Sequence, residues 1–224
     1  MLANLTAINN DISRLESKYG REKNAVQLLA VSKGQSVEKM RAAYLAGQRS
    51  FGENYLQEAL EKMESLPMTD IEWHFIGKIQ RNKTKKIAEL FAWVQSIDNH
   101  LIAKRLNEQR PEWLPPLNVC IEININHETI KSGVDVDHLF SLANECMALP
   151  RLRLRGLMAI PMRSNDFMQQ RHAFHQLFEL YQRLRERGLP LDTLSMGMSG
   201  DFEAAIAEGA TMVRIGSGIF GDRH

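Results

Sequence analysis

The feature that most constrains the fold of this chain is an alternation. Eight short apolar runs are each separated from the next by a longer polar or amphipathic segment. The runs fall near Gln27–Ser32, Gln48–Phe51, Glu72–Ile76, Trp93–Ile97, Leu117–Ile123, Leu152–Met158, Thr193–Ser195 and Thr211–Ile215. Their length and content suit buried strands. Between them, apolar residues recur at helical spacing: Val37, Met40, Tyr44 and Leu45; Ile87, Leu90 and Phe91; Leu139, Phe140, Ala143, Cys146 and Met147; Phe174, Leu177, Phe178, Tyr181 and Leu184. Gly188 and Pro190 stop the last of these helices. Leu5, Ile8, Ile12, Leu15 and Tyr19 mark a further helix ahead of the first strand. Strands alternating with helices require a parallel sheet, either closed or doubly wound. Eight of them favour closure. The expectation is an α/β fold, one (β/α)8 TIM-like barrel domain over residues 1–224, with an extra N-terminal helix over residues 1–20 packed on it.

Composition removes several classes of function. The chain has 224 residues, 44% hydrophobic and 25% charged, with a net charge of +1. A near-neutral chain offers no global field for nucleic acid or an anionic membrane. No apolar stretch approaches a membrane span and no signal pattern opens the chain, so a cytoplasmic location is expected. Cys120 and Cys146 sit in apolar runs without ligand spacing, which predicts buried free thiols.

The residues that follow the strands carry the chemistry, because the C-terminal rim is the functional face of such barrels. Lys33 closes the first run, Gly52-Glu53-Asn54-Tyr55 the second, and His74 to Gly77 the third. Ser96 and Asp98 follow the fourth, Asn124 the fifth and Met158 the sixth. Ser195-Met196-Gly197-Met198-Ser199-Gly200 follows the seventh, and Arg214-Ile215-Gly216-Ser217-Gly218 ends the eighth. Glycine-rich loops after strands seven and eight often hold a phosphate on backbone N–H groups, and Ser199 and Ser217 add hydroxyl donors. Asp201 and Glu203 oppose an anion there unless they point away. A strand-end lysine is seldom interior without a partner, and desolvation turns it into a neutral amine able to attack an aldehyde. A phosphorylated aldehyde held at both ends, cofactor or sugar, fits this pattern.

Ala30-Val31-Ser32-Lys33, Phe51-Gly52-Glu53-Asn54-Tyr55, Trp73-His74-Phe75-Ile76-Gly77, Gly156-Leu157-Met158, Ser195-Met196-Gly197-Met198-Ser199 and Val213-Arg214-Ile215-Gly216 occur in order. With these motifs the chain resembles, from Leu28 to Arg223, the pyridoxal phosphate homeostasis proteins, the YggS or proline synthase co-transcribed family. The resemblance implies a barrel of the alanine racemase N-terminal type, with pyridoxal 5′-phosphate (PLP) bound as a Schiff base on Lys33. It implies that Ser199, Gly216 and Ser217 face the phosphate, that Arg214 faces the pyridine nitrogen, and that Asn54, His74 and Met196 line the pocket. Two positions depart from the family's pattern: Lys78 stands where proline is common, and Ser217 where threonine is common.

Arginine only donates, so a ring nitrogen facing Arg214 is unprotonated and a weaker electron sink than a pyridinium. Related racemases take a second base, a tyrosine, from an additional β domain. Here the sequence ends soon after the eighth run, and Tyr44, Tyr55 and Tyr181 lie in helical contexts. The expectation is therefore a PLP carrier acting in intracellular PLP homeostasis, not an enzyme, with a racemase-like enzyme and a Schiff-base aldolase as alternatives. PLP-dependent apo-enzymes are the expected partners, and a monomer the expected state. The basic run Lys78, Arg81, Lys83, Lys85 and Lys86 reads as the solvated start of the third barrel helix, and Lys131 as a surface lysine. His127, His138, His172 and His175 show no metal-ligand pairing.

Overall fold

A computed structural model describes residues 1–125 and 132–221. His127 and Lys131 lie outside the described residues. Eight parallel strands close into a barrel in sequence order, with the last paired to the first. They are β1 (Gln27–Val31), β2 (Ser50–Glu53), β3 (Glu72–Phe75), β4 (Trp93–Ile97), β5 (Leu117–Glu122), β6 (Leu152–Met158), β7 (Thr193–Ser195) and β8 (Met212–Ile215). The helices among the described residues are α1 (Leu2–Lys18), α2 (Val37–Leu45), α3 (Leu56–Ser65), α4 (Thr84–Leu90), α5 (His100–Gln109), α6 (Val136–Met147), α7 (Phe167–Glu186), α8 (Phe202–Ala207) and α9 (Ser217–Phe220).

The strands form where β-branched and leucine residues pack between lumen and helices. Leu117, Val119 and Ile121 of β5 are fully buried, each worth roughly 1.5–3 kcal/mol in removal from water. Side chains one residue apart leave a strand on opposite faces. One face joins the shell between strands and helices, and the other fills the lumen, where Trp93, Cys120 and Met158 form a separate apolar cluster. Side-chain caps start α5 and α7: Asn99 accepts from the Ile102 N–H at 3.0 Å, and Asp166 from the Gln169 N–H at 2.9 Å. Gly188, at φ +87°, ends α7 as its position ahead of Pro190 predicts.

The second strand differs from the sequence reading. It runs Ser50–Glu53 and not Gln48–Phe51. Gln48 instead turns its amide to the carbonyls of Leu28 and Ser50, at 3.0 and 2.7 Å. Glu53 is carried into the strand because a buried lysine, Lys62 of α3, pairs with it at 2.7 Å. A carboxylate at a strand end reads as loop in sequence; only its distant partner makes it interior.

Helix α1 is tied onto the barrel by polar contacts as well as apolar ones. Glu16 accepts from the Val26 N–H at 2.9 Å, and Asn4 donates to the Ile219 carbonyl at 3.3 Å. Cys120 and Cys146 are free and buried, and burial pushes both thiols up to about 12. The basic run opens as a 3₁₀ turn, Arg81–Lys83, and continues into α4 with most of its cations in solvent. No described helix is long and apolar enough to cross a membrane.

Candidate functional site

Lys33 follows β1 by two residues, and its segment is clamped from below. Lys62 Nζ, almost fully buried, donates to the Ser32 carbonyl at 2.6 Å and to Glu53 Oε1 at 2.7 Å. It also pairs with Glu58, which accepts the Gly34 N–H. Ser32 Oγ adds a second contact to Glu53, at 2.6 Å. Both backbone groups flanking Lys33 are thus tied to one buried ionic cluster. Burial pushes the Glu53 carboxyl up, against the pull of Lys62.

Lys33 lines a cavity of about 410 Å³ with Val31, Gln35, Arg163, Gly216, Ser217 and Gly221. The end of β8 and the start of α9 therefore reach the same space as the end of β1, as strand pairing β1–β8 requires. Ser199 closes the wall: its Oγ accepts from the Gly218 N–H at 3.2 Å and meets Ser217 Oγ at 3.4 Å. A Cβ on Gly218 would come within 3.3 Å of that hydroxyl. Gly197, at φ +93°, makes the turn out of β7 that delivers Ser199. Lys39 holds α9 in place by donating to the Phe220 carbonyl at 3.1 Å and to Gln35 at 2.9 Å.

The two acidic residues after Ser199 point away from this wall. Glu203 pairs with Lys18 and Tyr19 of α1, at 2.7 and 3.0 Å. Asp201 turns back to accept the Met198 N–H at 2.6 Å. Both are satisfied elsewhere.

Arg214 is buried, and its guanidinium is fixed. Nη1 donates to Ser195 Oγ and Nη2 to the Ala159 carbonyl, each at 2.8 Å. Desolvation lowers its pKa to about 10, opposed by the charges of Asp201 and Glu122. Glu122 ends β5, and burial with the like charge of Asp98 raises its carboxyl to about 7. Asn54 ends the β2 side of the rim, with its Oδ1 buried and lacking a hydrogen-bond partner. An unpaired buried acceptor costs about 1–3 kcal/mol, so it suits a ligand that brings a donor.

Of the residues expected at the site, Lys33, Gly216 and Ser217 share the cavity, with Ser199 against it. Arg214 and Asn54 belong to the same rim. His74 and Met196 are wholly buried: Met196 packs in the shell of the barrel core, and His74 lies in the lumen stacked on Trp93. The sequence reading did not single out Lys62, Glu58, Arg163, Glu122 or Gln95. Gln95 and Glu122 carried a signal, as polar residues inside the apolar runs of β4 and β5.

The fit to PLP rests on donor chemistry: hydroxyls and glycine backbone at one wall for a phosphate, an amine-bearing lysine in the same cavity, and the unsatisfied Asn54 acceptor. Tyr44 and Tyr181 are engaged elsewhere, with Asp70 at 2.6 Å and with the Leu191 carbonyl at 3.0 Å. Tyr55 is exposed.

Residues 3–224 match the family described as alanine racemase, N-terminal domain. A Vibrio cholerae protein named pyridoxal phosphate homeostasis protein is 50% identical over 98% of this chain and 95% of its own length. PipY of Synechococcus elongatus, solved with PLP bound, is 36% identical with a TM-score of 0.83, covering 94% of this chain and 99% of that one. Alanine racemase from Corynebacterium glutamicum shares the fold at 20% identity and a TM-score of 0.71, with this chain covering 61% of it. The chain belongs to the pyridoxal phosphate homeostasis proteins, within the alanine racemase N-terminal domain family.

Proposed function

We propose that this protein binds PLP covalently through Lys33 and serves to hold and release it, acting in PLP homeostasis with no reaction of its own. The observation that carries the proposal is a single cavity shared by Lys33 and the Gly216–Ser217 wall. The cofactor supplies an aldehyde. Lys33 Nζ would supply the amine that holds the cofactor covalently. Ser199, Ser217 and the Gly216 backbone hold the phosphate, Arg214 donates to the ring nitrogen, and Asn54 accepts from a ring hydroxyl. His74 and Met196, expected to line the pocket, are wholly buried and support it from the lumen and from the core.

A carrier role follows from what surrounds Lys33. Arg214 is an obligate donor, which leaves the ring a poor electron sink. The described tyrosines are exposed or engaged in packing contacts. We extend the reading to a monomeric cytoplasmic protein that delivers PLP to apo-enzymes of PLP-dependent type. Borohydride reduction followed by peptide mass measurement tests the binding mode: a pyridoxyl adduct on Lys33 supports it, and a sugar-phosphate adduct favours an aldolase. Racemisation and transamination assays over many amino acids test the carrier role. Turnover that requires Lys33 contradicts it.

A further inference from the structure

The lumen of a β/α barrel is normally filled by apolar side chains, yet this one contains an unbroken hydrogen-bonded chain. From Arg214 on β8 it passes to Ser195 on β7 at 2.8 Å, then to Gln95 Oε1 on β4 at 2.7 Å. Gln95 Nε2 lies 3.0 Å from His74 Nδ1, and His74 Nε2 lies 2.9 Å from Glu72 Oε1. Strands β7 and β4 are not neighbours, so the Ser195–Gln95 contact crosses the lumen itself. Glu72 opens β3 at the N-terminal end of the barrel, half-buried, opposite the rim that carries Lys33.

Every proton in this chain is assigned by its two ends. Arg214 can only donate, so Ser195 accepts from it and passes its own hydroxyl proton to Gln95. The Gln95 atom facing Ser195 is then the carbonyl oxygen, and its NH₂ donates to His74 Nδ1. A ring that accepts at Nδ1 carries its proton on Nε2, which donates to the Glu72 carboxylate. The flipped amide would set an unprotonated Nε2 against that carboxylate, since burial disfavours the charged, doubly protonated ring. The His74 hydrogen bond in turn holds Glu72 ionised, at about 2. Chains with one donor direction polarise each other cooperatively.

We propose that Gln95, His74 and Glu72 are positioning residues that lock Arg214 as a fixed, one-way donor toward the cofactor ring from the opposite end of the barrel. This rests on the PLP reading above. A defect at Glu72 would then be felt at a cofactor it does not touch.

The test compares wild type, Glu72→Gln and Gln95→Leu, each loaded with PLP, by the visible absorption band and the rate of PLP loss on dilution, with melting of the apo protein alongside. Gln95→Leu breaks the chain at its centre, and the account expects release faster by about tenfold, the upper end of the worth of one buried neutral hydrogen bond. Glu72→Gln keeps the geometry and removes only the charge. It should speed release by roughly two- to threefold, the lower end of a hydrogen bond's worth, and shift the band in the same direction, while the apo protein still folds but melts earlier, because a carboxyl held at about 2 stabilises the fold. Nitrogen NMR of the apo protein should show His74 neutral and protonated on Nε2. A His74 protonated on Nδ1, or a Glu72→Gln protein with wild-type band and release rate, overturns the proposal. If Gln95→Leu fails to fold, Glu72→Gln and the His74 resonance decide it. Wild type that takes up no PLP overturns the functional reading and this one with it; wild type that binds, with both variants unchanged, overturns this one alone.

Discussion

The two ends of the candidate site are held in place by different chemistry. On the β1 side, Lys62, Glu53 and Glu58 form a buried ionic cluster whose bonds fall on the backbone at Ser32 and Gly34, either side of Lys33. On the β8 side, the support falls on the side chain itself: Ser195 and the Ala159 carbonyl grip the Arg214 guanidinium. The difference matches what each residue would do under the proposed function. A nucleophilic lysine has to swing, gain and lose a covalent bond, so the frame is fixed around it. A donor to a ring nitrogen has only to stay still.

That contrast predicts unequal costs. Lys62→Met leaves Glu53 buried without its cation and should cost about 3–5 kcal/mol of stability in urea unfolding. A loss smaller than about 1 kcal/mol would show that the ionic cluster contributes little, and would erase the distinction between the two ends. Glu122, at the end of β5, has its carboxyl raised from 4.5 to about 7. The folded protein therefore holds this proton more tightly than the unfolded chain does, and stability is lost as pH rises through about 7. Glu122→Gln removes that penalty. It should stabilise the protein by about 3 kcal/mol at pH near 8 and by much less near pH 5, read by unfolding at each pH. Equal effects at both values would place the carboxyl in an ordinary environment. The smallest effects belong to the phosphate wall. Ser199→Ala and Ser217→Ala should each weaken PLP uptake by about three- to tenfold without altering the absorption band, since neither hydroxyl faces Arg214.

The barrel was legible from the alternation of runs because each strand's periodicity is local. Strand β2 slipped by two residues because Glu53 is made interior by Lys62, nine positions on and in another element. Lys33, Ser217 and Gly216 were legible as neighbours around one cavity because strand ends converge on one rim, a property of the fold more than of any one residue. The Lys62 cluster was not, since a helical lysine has the pattern of a solvated face until the carboxylates beneath it are known. His74 was readable as a strand-end residue but not as a lumen residue: whether it faces the pocket or Glu72 depends on register across β3 and β4.

The visible absorption spectrum of purified protein mixed with PLP, for wild type and Lys33→Ala, tests the central claim most directly. The account predicts a yellow wild-type protein whose visible band survives gel filtration, and a Lys33→Ala protein, folded by circular dichroism, that lacks the band. A colourless wild type after incubation with PLP, or a Lys33→Ala protein that keeps the same band, would contradict it.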